Sequence, residues 1–190
     1  MSPKSDLRQT LLTQRKALDP YRWEQQSKRL CQHLRYCSLF RQAQTILVYW
    51  SVRREPDLSS LWTLPKTWGL PRCQGQDLVW HRWALGQPLV LGAYGIWAPP
   101  SQAPSLSVNL VDLILVPALA CDRQGYRLGY GGGFYDRLLA TPPWDRIPTL
   151  GIVFTANQVD QLPRDPWDRP LGGVCTEEGV QLYGAPRSDA

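Results

Sequence analysis

The chain has 190 residues, 43% of them apolar, a formal net charge of +5 and a mean hydropathy of −0.32, which supports one good core and no membrane-spanning run. Five cysteines form no C-x-x-C pair and only two histidines accompany them, so a zinc cluster and a histidine-centred triad are not expected. The arginines are scattered rather than clustered, so neither nucleic acid nor a membrane is expected as a partner.

The opening MSPKSDLRQT has no apolar run, so no secretory leader is expected, and the unpaired cysteines suit a cytoplasmic setting. A first helix is expected over residues 3–18, with Ser2 as its cap and Pro3 in its first turn. Leu7, Leu11 and Leu18 share one face, while Lys4, Arg8 and Arg15 share a neighbouring one. On spacing alone, that basic face is a solvated one. Asp19-Pro20 starts a second helix, with Trp23, Ser27, Leu30 and Leu34 inward and an end near residues 40–42.

TILVYW, residues 45–50, reads as a central strand. It runs into SVRREPD, which places Glu55 beyond a strand end, where open α/β sheets bind ligands. Its plain reading is an exposed loop carboxylate. Asp57 is placed to cap a short helix through Leu61 and Trp62. Residues 63–110 are the least regular, although LVWHRW, residues 78–83, alternates like a strand. The tryptophans at 62, 68, 80, 83 and 97 fill a core or stack on a flat ligand.

VDLILVP, residues 111–117, is the clearest buried strand. RLGYGGGFYDRLL follows at residues 127–139, with glycines at 129, 131, 132 and 133. A glycine turn opening into a helix can aim several N–H groups at an anion. A helix over residues 134–140 stops at Thr141-Pro142-Pro143. Strands at residues 149–154 and 173–176 complete the pattern, and the chain after Tyr183 is expected to be loose. Apolar strands alternating with helices imply an α/β sheet covered on both faces, in one domain spanning residues 1–190.

No Gly-Lys-Ser/Thr ends the glycine loop, so it is not a Walker A loop. A dinucleotide fingerprint would need its third glycine where Phe134 stands. Spacing alone leaves a structural turn and a phosphate site on equal terms. Asp136 favours the second, because a carboxylate beside phosphate needs a cation between them, and Mg²⁺ takes carboxylate, phosphate and water oxygens together. Arg127, the glycines and Asp136 then make a Mg-nucleotide site. The competing role of Asp136 is simple helix N-terminal charge.

Four patterns occur in order: Lys4 to Arg8 as K-x-x-L-R, continuing to Arg15-Lys16-Ala17-Leu18; Glu55-Pro56-Asp57; Val116-Pro117, then Asp122, Gly125 and the run from Arg127 to Arg137; and Leu162-Pro163, Asp168 and Thr176-Glu177. On these residues the chain resembles the 5-formyltetrahydrofolate cyclo-ligases, also called 5,10-methenyltetrahydrofolate synthetases. The resemblance implies a single-domain three-layer α/β/α sandwich with a mostly parallel central sheet. It implies ATP- and Mg²⁺-dependent conversion of 5-formyltetrahydrofolate to 5,10-methenyltetrahydrofolate, with ADP and phosphate released. ATP would be bound by Lys4, Ser5, Asp6, Leu7 and Arg8, and by Arg127, Leu128, Gly129, Tyr130, Gly131, Gly132, Gly133, Phe134 and Tyr135. The reduced folate would contact Trp50, Glu55 and Trp80, and again Tyr130 through Phe134. Mg²⁺ would fall to Asp136 and Asp168, and charge stabilisation in catalysis to Lys4, Arg8 and Arg127. A cytoplasmic monomer is expected. The alternatives are another phosphoryl-activating enzyme on the same scaffold, or a nucleotide- or RNA-binding module.

Overall fold

The computed structural model describes residues 3–183, so the Ser2 cap and the loose tail lie outside the described residues. The elements run α1 (Pro3–Lys16), α2 (Pro20–Tyr36), α3 (Ser38–Gln42), β1 (Thr45–Leu47), β2 (Thr67–Gln74), β3 (Asp77–Trp83), β4 (Val90–Leu91), β5 (Trp97–Ala98), β6 (Leu113–Pro117), β7 (Ala120–Asp122), β8 (Arg127–Leu128), α4 (Phe134–Leu139), β9 (Thr149–Ile152), β10 (Gln158–Val159), β11 (Gly173–Thr176) and β12 (Gly179–Leu182). Asp19 caps α2 by accepting from the Arg22 N–H at 3.0 Å. The single helix expected through residue 42 is two. Cys37 takes extended backbone (φ −64°, ψ 131°) and turns the chain into α3. Among the described residues no helix is long and apolar enough to cross a membrane.

Seven strands form one sheet in the order β12-β11-β9-β6-β1-β2-β3. The five central strands are parallel, and β3 and β12 close the two edges antiparallel. Strand β2 was not expected, because it falls in the stretch read as least regular, and it contains a proline, Pro71. The Gly69 carbonyl accepts from the Val48 N–H, so by strand alternation position 71 also faces the β1 side. Pairing with β1 ends at Gly69, so the missing N–H of Pro71 leaves no ladder bond unmade.

Alternating residues of the parallel strands feed two cores. Leu113, Leu115, Leu150 and Ile152 pack beneath Leu30, Leu34 and Phe40 of α2 and α3. Ile114, Val116 and Val174 pack on the other face with Leu138 and Leu139 of α4. The result is the expected three layers, with strands buried on both faces. Helix α1 covers neither face of this sheet. Its Leu11 joins Leu119, Ala120, Leu128 and Leu162 in a third, smaller core against the three-stranded sheet β10-β7-β8.

This topology decides where a ligand can sit. From β1 the chain steps to β2 on one side and later to β6 on the other. The strand order therefore reverses between β1 and β6, and a crevice opens beyond their carboxyl ends. The loop after β1 carries Trp50 and Glu55, and the chain after β6 leads through β7 and β8 into the glycine loop.

Asp122 holds that approach in place. It is 1% exposed, and its carboxylate accepts from the backbone N–H groups of Gln124, Tyr126 and Leu162 and from Arg164. Gly125 turns at φ +89°, where a Cβ would stand 2.7 Å from the Leu171 carbonyl oxygen. Asp122→Ala would leave these donors without their acceptor in a buried place. We expect a loss of about 3 kcal/mol, read as a lower urea midpoint.

Candidate functional site

A cavity of about 370 Å³ occupies the crevice. Its walls come from the first turns of α1, the loop after β1, the glycine loop, β2 and β3, the segment around Tyr94, and the loop at residues 165–168. Lys4 and Arg8 lie one helical turn apart on α1, so both side chains reach the same wall. The face read as solvated is instead turned inward. Lys4 Nζ donates to Asp165 Oδ2 at 2.7 Å and to Asp168 Oδ2 at 2.5 Å. Burial alone would lower the lysine pKa, but these hydrogen bonds and charges outweigh it and raise it. Arg8 Nε donates to the Gly129 carbonyl at 2.9 Å, which ties α1 to the glycine loop. Arg15, the third cation of that face, is 3% exposed.

Ser5, Asp6 and Leu7 are not among the cavity-lining residues. The helical rotation between Lys4 and Arg8 carries them elsewhere: Leu7 packs on the third core and Asp6 is exposed. The N-terminal contribution to the wall is thus Lys4 and Arg8.

Glycine conformation matters at two loop positions. Gly131 has φ +98° and faces the Arg8 guanidinium, and Gly133 has φ +67° at the cap of α4. At its start, Arg127 is 8% exposed and donates through Nη1 to Asp136 Oδ1 at 2.7 Å. Its guanidinium also lies 5.7 Å from the centre of the Tyr135 ring.

Glu55 overturns its reading as an exposed loop carboxylate: it is 3% exposed. Arg53 and Arg54 both take left-handed backbone (φ 50° and 58°), which folds the loop back so that the Glu55 N–H donates to the Val52 carbonyl. Glu55 Oε2 accepts from the Val52 N–H at 3.0 Å, and Oε1 accepts from the Tyr130 hydroxyl at 2.8 Å. Burial pushes the carboxyl pKa up. The Val52 and Tyr130 donors and the charges of Arg15 and Arg53 offset this only in part.

Trp50 lines the cavity and is backed by Trp62 and Trp83, at ring-centre distances of 5.1 Å and 6.3 Å. Trp80 is a correction. It is 2% exposed, lies in the second core between Tyr135 and Trp144, and does not line the cavity. It backs Tyr135, which does line it. The remaining expected residues, Leu128 to Asp136 and Asp168, all reach the wall.

Among the described residues no three His, Cys, Asp or Glu side chains cluster as a metal cage. Asp136 and Asp168 line one cavity, each held by a cation. Two carboxylates completed by phosphate and water oxygens are a donor set that suits Mg²⁺. The residues present therefore fit a metal bound together with a polyphosphate.

Sequence reasoning missed three residues here: Asp165, Arg53 and Arg15. Arg15 carried a signal, because it continues the Lys4–Arg8 stripe. Asp165 and Arg53 sit in proline-bounded loops whose path no periodicity reveals.

The sequence profile of the 5-formyltetrahydrofolate cyclo-ligase family matches residues 1–177. The chain belongs to this family. Membership makes it an enzyme of the cyclo-ligase kind, in folate one-carbon chemistry. Curated relatives named 5-formyltetrahydrofolate cyclo-ligase include one from Haemophilus influenzae, 34% identical over 139 residues (69% of this chain and 74% of the relative). Another, from Mycolicibacterium smegmatis, is 32% identical over 189 residues, covering 93% of this chain and 95% of the relative. The solution structure of Aquifex aeolicus 5,10-methenyltetrahydrofolate synthetase aligns with a TM-score of 0.86 at 30% identity, over 100% of this chain and 97% of that one.

Proposed function

We propose that this chain converts 5-formyltetrahydrofolate to 5,10-methenyltetrahydrofolate with ATP and Mg²⁺, releasing ADP and phosphate. One observation carries the reading: a single cavity joins a glycine loop and three cations, Lys4, Arg8 and Arg127, to a buried, oriented carboxylate, Glu55. The first set suits a polyphosphate, and the second suits the N–H donors of a pterin edge. We read the protein as a monomer built as one domain. We place it in the cytoplasm, acting on a reduced folate without nucleic acid or membrane.

An N-formyl group is amide-like and a poor electrophile. Its oxygen attacks the γ-phosphorus, the bond to ADP breaks, and the formyl carbon becomes an N5-iminium phosphate. The N10 amine then attacks that carbon. Phosphate and the N10 proton leave, and the methenyl bridge closes. The enzyme's part is positioning and charge stabilisation. Lys4, Arg8 and Arg127 offset negative charge on the transferring group, while backbone donors of the glycine loop hold its oxygens. Mg²⁺, held by Asp136 and Asp168, would neutralise phosphate charge. Glu55 accepts from the pterin, Trp50 packs on its ring, and Phe134 and Tyr135 keep water from the reacting atoms.

The 5,10-methenyl bridge absorbs in the near ultraviolet. Purified protein should give an absorbance rise from 5-formyltetrahydrofolate only when both ATP and Mg²⁺ are present, and chelation of the metal should stop it. A flat trace with all components would reject the reading.

A further inference from the structure

Arg15 lies two helical turns beyond Arg8 on α1 and outside the cavity wall. A buried guanidinium is costly unless ion pairs and hydrogen bonds satisfy it. Nη2 donates to the Ala118 carbonyl at 2.6 Å. Nη1 donates to the Tyr130 hydroxyl at 2.9 Å and stands 3.9 Å from Glu55 Oε1. Nε is buried with no hydrogen-bond partner among the described residues. Stability alone would be served as well by an apolar side chain of similar volume. What the arginine adds is direction.

Arginine can only donate. The Tyr130 hydroxyl therefore accepts from Arg15, and its single proton is directed at Glu55 Oε1. The Val52 N–H fixes the other carboxylate oxygen. Tyr130 belongs to the glycine loop and Glu55 to the loop after β1, so this one hydroxyl joins the two halves of the cavity. We propose that Arg15 is a positioning residue which, through the Tyr130 hydroxyl, holds the Glu55 carboxylate and the glycine loop in one fixed relation for binding the reduced folate. The proposal rests on the function proposed above.

Its electrostatic consequence has a definite sign. The groups acting on Glu55 are Arg15 from α1, Tyr130 from the glycine loop, and Arg53 and the Val52 N–H from its own loop. Tyr49, two residues beyond β1, and Tyr135 on α4 are neutral neighbours, both pushed up by burial and then by the Glu55 charge. Burial raises the Glu55 pKa and Arg15 opposes it. Removing the cation therefore moves that pKa further up. Folate binding that needs ionised Glu55 then fails at a higher pH than in the wild type.

Kinetics of the wild type, Arg15→Met and Arg15→Lys across the acid limb test this. For Arg15→Met we expect KM for 5-formyltetrahydrofolate to rise roughly 10- to 100-fold, the loss of a hydrogen bond involving charged groups. KM for ATP should stay within about threefold, because Arg15 touches neither Lys4 nor Arg127, and a threefold change is only about 0.6 kcal/mol. The acid limb should move to higher pH. Arg15→Lys keeps the charge and should leave the limb near its wild-type position. Equal rises in both KM values with an unmoved limb, or no change at all, would overturn the proposal. If circular dichroism shows Arg15→Met unfolded, Tyr130→Phe decides. Loss of its O–H must also move the limb upward, and an unmoved limb refutes the relay. A wild type that turns over no folate would instead sink the function itself, and the Arg15 role with it.

Discussion

Glu55→Gln is expected to raise KM for 5-formyltetrahydrofolate roughly 100-fold, equivalent to about 2.7 kcal/mol, while KM for ATP changes little. The substitution conserves shape, so the loop after β1 should keep its path. What changes is the polarity of a site sealed to 3% exposure. One carboxylate oxygen accepts from Tyr130 and the other from Val52, and both retain lone pairs for a substrate donor. In glutamine, one of those atoms becomes an NH₂ group that faces the Val52 N–H or the Tyr130 hydroxyl. A buried clash of donors results, and a pterin N–H loses its charged acceptor. The pH profile separates this from a packing defect. The Glu55 pKa is raised, chiefly by burial, and on the proposed function the ionised form is the one that binds the pterin. In the wild type, kcat/KM should therefore fall on acidification through a pKa above the ordinary carboxylate range. Glu55→Gln should lack that limb. Persistence of the limb in the variant would assign it to another group.

Asp136→Asn is expected to lower kcat by about 100- to 1,000-fold, or about 3–4 kcal/mol, and to weaken the Mg²⁺ dependence. Its Oδ1 accepts from Arg127 at 2.7 Å, and an asparagine carbonyl can keep that bond, so the fold should survive. Only the charge is removed. If Asp136 merely complements the start of α4, the same change costs at most about 1 kcal/mol of stability and leaves kcat intact. Steady-state kinetics with Mg²⁺ titration, beside a thermal melt, distinguish the two roles.

The parallel core was legible because its strands are short apolar runs with turn signals between them, as at residues 113–117 and 149–152. Strand β2 was not, because Pro71 argues against a strand unless the pairing with β1 is known to end at Gly69. The break at Cys37 was hidden too, since residues 20–42 keep a helical pattern on both sides of it. In the site, the spacing of Lys4 and Arg8 was visible, but spacing does not tell solvent from a cavity. That choice depends on contacts such as Arg8 to Gly129, which span more than a hundred residues. Glu55 was misread for the same reason. Its burial comes from two left-handed residues and from Arg15 and Tyr130, each remote in sequence or unusual in backbone. Trp80 shows the converse: an aromatic near a ligand site went to the core.

The most direct measurement follows phosphate release and near-ultraviolet absorbance together in one reaction of wild-type protein, ATP, Mg²⁺ and 5-formyltetrahydrofolate. One cavity serving both substrates predicts one phosphate released per methenyl bridge formed, and neither signal when either substrate is withheld. Phosphate release that proceeds without folate, or bridge formation without ATP, would contradict the coupling of the two halves of the cavity.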